Sequence, residues 1–147
     1  MELNTSFGDL FAYTGARDHK KDQPAVVFIH GTGMDHTVWV LPSRYFARHG
    51  FNVMSIDLPG HGKSSGASSE TIDEMADAVI ESMHAAGISN AAIVGHSMGS
   101  LVALSAAARY PDRARSLALI GTTAPMGVPP DMMASAQKND HDVIDMI

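Results

Sequence analysis

The chain has 147 residues, 45% hydrophobic and 18% charged, a size and balance that suit one domain with its own core. With 10 Lys and Arg against 16 Asp and Glu the formal charge is −6, and no basic block offsets it, so nucleic acid is not an expected partner. Cysteine is absent, which removes disulfides, thiol nucleophiles and thiolate metal sites together. Apolar runs such as Ala25-Val26-Val27-Phe28-Ile29 fall far short of the ~20 residues of a membrane-spanning helix, so no membrane partner is expected either.

From the N-terminus, Met1-Glu2-Leu3-Asn4-Thr5-Ser6 has neither the basic region nor the apolar run of a secretory signal, which makes a cytoplasmic location the default expectation. Within the first 23 residues, Phe7-Gly8-Asp9-Leu10 lies between two short strand-like segments and predicts a hairpin. Four Val- and Ile-rich runs follow, at about 25–30, 52–57, 91–95 and 117–121, each bounded by Gly, Pro, Asn or Ser. They do not alternate with polar residues, the pattern of buried parallel strands. Helical segments are predicted between them. One covers about 38–49, before Gly50. A second begins at the capping box Thr71-Ile72-Asp73-Glu74, repeats apolar residues at Ile72, Met75, Ala76, Val79, Ile80 and Met83, and stops at Gly87. A third covers about 98–109, before Pro111. The alternation predicts an α/β fold: a mostly parallel sheet with helices on both faces. From Ala124 the composition turns to Pro, Met and Ala; Pro129-Pro130-Asp131 starts a short helix through about Gln137, and another begins near Asp140.

The strongest chemical signal is Gly95-His96-Ser97-Met98-Gly99, directly after one predicted strand and directly before an apolar helix. A sharp strand-to-helix turn forces its central residue into strained backbone angles, and the flanking positions two residues away must lack side chains. Ser97 is then presented at the C-terminal edge of the sheet beside unpaired helix N-terminal N–H groups, which favour developing negative charge. That is the context in which G-x-S-x-G marks a nucleophile; outside it, the same residues describe an ordinary Gly-Ser turn. A second strand runs into His30-Gly31-Thr32-Gly33, a turn whose backbone is free to approach a substrate oxygen. In acyl transfer an oxyanion is held by one N–H following the nucleophile and one from a neighbouring strand's loop, which makes Met98 and Thr32 the candidate donors. The third motif is Asp57-Leu58-Pro59-Gly60-His61-Gly62-Lys63-Ser64. Its Gly-Lys-Ser ending is not a phosphate loop, because Asp57 stands where the first glycine is needed; Gly31-Thr32-Gly33 is no dinucleotide fingerprint, because His36 takes the third glycine's place.

These three motifs, in this order, resemble the α/β-hydrolase family over roughly Pro24 to Pro125. The resemblance implies that the four apolar runs are strands three to six of an eight-stranded sheet of order 1-2-4-3-5-6-7-8. It further implies that residues 1–124 are the N-terminal portion of the core and that 125–147 begin the lid. Ser97 is the implied nucleophile, with the Thr32 and Met98 N–H groups as oxyanion hole and His30, Gly31, Gly33, Gly95, His96 and Gly99 supporting the turns. A serine at the elbow is similar to the esterase, lipase, lactonase, C–C hydrolase and perhydrolase branches, and unlike the Asp-bearing dehalogenases and epoxide hydrolases. The family's acid and base follow strands seven and eight, for which this chain has no counterpart; His141 is the one His after Ser97 and falls in the implied lid.

The expected function is therefore a serine hydrolase acting on a small-molecule acyl substrate, without cofactor or metal, weak on its own because its acid and base are missing. A non-catalytic binding module or an assembly half is the alternative of another class, and perhydrolase or C–C bond chemistry the alternative on the same elbow. An apolar edge at the fourth strand leads to a further expectation, self-association or pairing with a complementary C-terminal segment. Of the other histidines, His30, His61 and His96 are expected to serve the motif turns, while His19, His36, His49 and His84 are expected in loops or at the surface, with no carboxylate spaced to suggest a metal site. The Met residues are expected in the core and as gap-fillers, with Met126, Met132, Met133 and Met146 gathered in the tail.

Overall fold

The computed structural model describes residues 1–138; His141, Met146 and the helix expected from Asp140 lie outside them. A hairpin of β1 (Glu2–Thr5) and β2 (Gly8–Tyr13) opens the chain. It is followed by β3 (Ala25–Ile29), α1 (Val40–Arg48), β4 (Asn52–Ile56), α2 (Ile72–Ala85), β5 (Ala91–His96), α3 (Met98–Arg109), β6 (Ala114–Ile120) and α4 (Pro130–Gln137). The six strands form one sheet of order β1-β2-β4-β3-β5-β6. β2 pairs antiparallel with β4, and β4, β3, β5 and β6 are mutually parallel.

This order explains why helices cover both faces. From β3 the chain steps one way to β4 through α1; from β4 it steps the other way to β5 through α2, and onward to β6 through α3. Parallel crossovers keep one hand, so reversing the direction of travel moves the connecting helix to the opposite face. The core divides accordingly. Val27, Ile29, Met54, Ile56 and Ile93 pack with Met75, Val79, Met83 and Val102 of α2 and α3. Val26, Phe28 and Val53 pack with Trp39 and Ala47 on the α1 side. Alternate residues of β3 thus serve both cores, and every residue of β3 and β4 is buried, as central parallel strands require.

The helix ends follow local chemistry. Thr71 Oγ1 accepts the Glu74 N–H at 3.1 Å while the Glu74 carboxylate accepts the Thr71 N–H at 3.3 Å, completing the capping box of α2. The helix expected from about 38 instead begins as a 3-10 turn, His36–Trp39, because the Asp35 side chain caps it by accepting the Thr37 N–H at 2.8 Å; the α-helical turns start only at Val40. β6 begins three residues before its apolar run, at Ala114, since pairing with β5 takes in Ala114 and Ser116, opposite Ala91 and Ala92, with Arg115 at a register shift between them. Leu117, Leu119 and Ile120 are 38%, 38% and 46% exposed, so this strand is not buried as its apolar run alone suggests but lies open, as the expectation of an apolar edge has it. Among the described residues β6 has a neighbour on one side only and is the edge of the sheet. The short helix expected after Pro129 is α4, none of whose residues is buried.

Candidate active site

The direction of travel through the sheet reverses between β3 and β5, so the loops leaving their C-terminal ends diverge to opposite faces and leave a crevice. Ligands of open α/β sheets bind at such a point. The loop after β3 carries Thr32 and the loop after β5 carries Ser97, so the fold brings both motif turns to one crevice.

Ser97 sits between β5 and α3 with φ 51° and ψ −122°, a left-handed conformation that costs a non-Gly residue of order 1–3 kcal/mol. The turn closes because nothing stands in its way: a Cβ at Gly95 would collide with the Gly99 carbonyl, and one at Gly99 with the carbonyls of His30 and Ile29. The Ser97 N–H donates to the Ile120 carbonyl of β6 at 2.9 Å, and the Ser100 N–H donates to the Ser97 carbonyl at 2.8 Å. The half-buried Ser97 hydroxyl makes no hydrogen bond among the described residues. Met98 opens α3, so its N–H belongs to the unpaired first turn.

Gly31 is the point of contact between the two turns. A Cβ built there would stand 3.1 Å from His96 Nδ1 and 3.2 Å from Ser97 Cβ, so the Thr32 turn lies directly against the Ser97 turn. Gly33 adopts φ 68°, and the Met34 N–H returns to the Gly31 carbonyl at 3.3 Å. Thr32 itself is exposed, and its N–H has no acceptor among the described residues. Beside the elbow, Met34, Val38, Trp39, His96 and Ile120 line an apolar cavity of about 270 Å³.

The histidines divide by environment. His30 is fully buried; its Nδ1–H donates to the Gly31 carbonyl at 2.8 Å and its Nε2 accepts the Leu58 N–H at 3.2 Å. Burial, which disfavours the imidazolium, holds its pKa below the ordinary histidine value. His61 Nδ1 bonds the Pro59 carbonyl at 3.0 Å. His49 and His84 are exposed, and His19 is a half-buried loop residue whose Nε2 meets the Val53 carbonyl at 2.9 Å.

His36 departs from the sequence expectation. It is buried rather than at the surface, and it does have a carboxylate partner: Asp57, fully buried, accepts the His36 Nδ1–H at 2.9 Å and the His36 backbone N–H at 2.6 Å. The Lys63 N–H reaches the same carboxylate at 2.9 Å. Gly62, at φ 52°, lies so close that a Cβ there would collide with the Asp57 carboxylate, which is the packing reason for a glycine in that motif. The two residues are 21 positions apart, and no local pattern in the sequence joins them. Ligating atoms of Asp35, His36 and Asp57 fall within 4.8 Å of one another. Their facing atoms are already joined by hydrogen bonds: Asp57 to His36 and Lys63, Asp35 to Thr37.

Comparison with known proteins agrees with this architecture. Residues 24–147 match the family described as alpha/beta hydrolase fold, and the chain belongs to the α/β-hydrolase family. Over 100 residues, or 68% of the chain, it is 40% identical to a pimeloyl-[acyl-carrier protein] methyl ester esterase of Chromobacterium violaceum, covering 37% of that protein. Over 96 residues, or 65% of the chain, it is 33% identical to an (E)-2-((N-methylformamido)methylene)succinate hydrolase of Acinetobacter baylyi, covering 36% of that protein. The structure of an N-acyl homoserine lactonase complexed with N-hexanoyl homoserine lactone superposes with a TM-score of 0.74 at 28% identity, over 92% of this chain and 52% of that one. The chain thus spans about a third to a half of the length of these relatives, and it is the N-terminal portion of their fold. No helix among the described residues is long and apolar enough to cross a membrane.

Proposed function

We propose that this chain carries the nucleophile and oxyanion hole of a serine hydrolase that cleaves ester or related acyl bonds through an acyl-enzyme. The observation that carries this reading is the strained backbone of Ser97, a non-Gly residue held at φ 51° between a parallel strand and a helix. Strain of this kind persists where the surrounding structure over-determines it, and it clusters at functional sites. Ser97 Oγ attacks the carbonyl carbon of the substrate, whose oxygen becomes an oxyanion facing the Thr32 and Met98 N–H groups. Collapse breaks the bond to the leaving group, which departs with a proton; water then attacks the acyl-enzyme, releasing the acid and restoring Ser97. This chemistry requires no cofactor. The esterase and lactonase names of two relatives support acyl chemistry, and the cavity beside His96 supports an apolar group next to the scissile carbonyl. We place the reaction in the cytoplasm, on a small-molecule substrate, with the catalytic acid and base supplied from beyond β6.

A fluorophosphonate probe tests the reading. Ser97 is expected to be the one serine labelled, and Ser97→Ala to abolish labelling. Labelling spread over several serines, or unchanged in Ser97→Ala, overturns it.

A second reading rests on β6, whose exposed Leu117, Leu119 and Ile120 lie on the edge of the sheet. Under it the chain is an assembly half, and the edge pairs with a complementary C-terminal segment or, lacking one, with a second copy.

A further inference from the structure

The Thr32 turn poses a mechanical problem. An oxyanion hole works only if its donors are held within about 0.5 Å of the productive position, yet residues 31–35 form a turn with two glycines and an exposed centre. Inside the turn the backbone is tied by one bond, Met34 N–H to Gly31 carbonyl, at a long 3.3 Å. Its two ends, by contrast, are fastened to consecutive residues after β4. At the start, His30 Nε2 accepts the Leu58 N–H and its Nδ1–H donates to the Gly31 carbonyl. At the far end, His36 gives both its backbone N–H and its Nδ1–H to Asp57.

We propose that Asp57 and His36 are positioning residues of the oxyanion hole, a buried carboxylate–imidazole clamp that fixes the turn bearing Thr32 against the Ser97 elbow. The inference rests on the serine-hydrolase reading above and adds to it a part that touches no substrate. Asp57 suits the task because its carboxylate is acceptor-only and fully buried, and its bonds to N–H donors are charge-assisted. It gathers three donors from two loops, His36 from the oxyanion turn and Lys63 from the glycine-rich turn after β4. Phe11 and Tyr13 of β2 flank the His36 ring, with ring centroids at 4.9 and 6.0 Å, so the imidazole cannot swing away without breaking into the hairpin. The clamp thus ties the turn to β4 and β2, on the side of the sheet away from Ser97, while Gly31 ties it to the elbow.

The isosteric change Asp57→Asn tests this directly. It keeps the volume but turns an amide NH₂ toward N–H donors, so part of the clamp faces donor to donor. The measurement is the rate of Ser97 labelling by a fluorophosphonate and by its P=S analogue. Sulfur accepts hydrogen bonds poorly, so the ratio of the two rates reports how well the N–H groups are aligned, whereas a general loss of folded protein lowers both rates together. Misplacement of a catalytic group by about 1 Å costs roughly 100-fold; Asp57→Asn is therefore expected to slow the P=O reagent by about that factor and to move the ratio toward its value with a simple alcohol in water. His36→Leu is expected to do the same, while His36→Asn, which returns an N–H near the Nδ1 position, restores the ratio.

If Asp57→Asn does not fold, the His36→Leu and His36→Asn pair decides, together with hydrogen exchange. The Met34 amide is expected to exchange at least tenfold faster in His36→Leu, while the amides of α2 stay unchanged. A P=O to P=S ratio that stays at the wild-type value in a folded clamp variant overturns the proposal, and so does unaltered Met34 exchange in His36→Leu. Failure of the underlying reading is visible separately, in the unmutated protein: Ser97 is then not the labelled residue, and the clamp falls with it.

Discussion

Replacing Ser97 by glycine separates the strain of the elbow from the chemistry of its hydroxyl. At φ 51° and ψ −122° the Ser97 Cβ incurs of order 1–3 kcal/mol of backbone strain. Glycine removes this, but it gives back about 0.5–1 kcal/mol through the greater freedom of the unfolded chain. The net expectation is a stabilisation of about 1 kcal/mol. A chain of 147 residues unfolds with an entropy of about 0.3 kcal/mol/K, so Tm should rise by about 3 °C. Ser97→Ala is the control: it keeps the Cβ and therefore the strain, and removes a hydroxyl that bonds nothing among the described residues, so its Tm should stay within about 1 °C of wild type. Both variants should lose fluorophosphonate labelling. Differential scanning calorimetry of the three proteins at one protein concentration is the assay. A Tm for Ser97→Gly at or below that of Ser97→Ala would refute the idea that the elbow stores strain.

Thr71→Ala removes the hydroxyl that caps α2 and is expected to cost about 1 kcal/mol, or about 3 °C in a thermal melt. Asp77, on α2, takes hydrogen bonds from Arg109 at 3.1 Å and Tyr110 at 2.5 Å; burial pushes its pKa up, but these bonds outweigh burial and hold it below the usual carboxyl value. Its contribution is thus present above the unfolded carboxyl pKa of about 3.9 and lost as pH falls through the lower folded value, so the Tm gap between wild type and Asp77→Asn should be open at pH 6 and close at strongly acid pH. Burial holds the His30 pKa below its ordinary value of about 6.5, so as pH falls from that value towards the lower folded one the unfolded chain binds more protons than the folded one, and stability should fall with pH through that window, with a shallower slope in His30→Asn by chemical denaturation. At the sheet edge, Leu119→Lys is expected to suppress association of the isolated chain in sedimentation velocity; a compact monomer indifferent to the charge would mean that β6 does not pair.

What was legible in the sequence was whatever is enforced locally. The Gly95-x-Ser97-x-Gly99 spacing, the Thr71 capping box and the apolar stripe of α2 each encode their conformation within a few residues, and α3 spans the expected 98–109. The topology was legible through the family resemblance, and the observed order β1-β2-β4-β3-β5-β6 agrees with it. The Asp57–His36 clamp was not, because it joins residues from two loops that meet only once β3 and β4 have paired. His36 carried no sign of burial: its sequence neighbours are Asp35 and Thr37, and the Phe11 and Tyr13 rings beside it come from the hairpin. The start of β6 is not encoded locally for a related reason, since Ala114 and Ser116 are extended by pairing with β5 rather than by any preference of their own.

The bond from the Ser97 N–H to the Ile120 carbonyl ties a strained residue, at φ 51°, to a strand that is an edge of the sheet among the described residues. Edge strands with exposed apolar side chains open at lower free energy than central ones, in local excursions that leave the rest of the sheet intact. Each time the end of β6 frays, the elbow loses the anchor on one flank, and the strained serine is free to relax toward an ordinary turn. On the serine-hydrolase reading proposed above, the lifetime of the strained turn is tied to the rim of the sheet, and a strand that zips onto β6 would stiffen Ser97 from a distance.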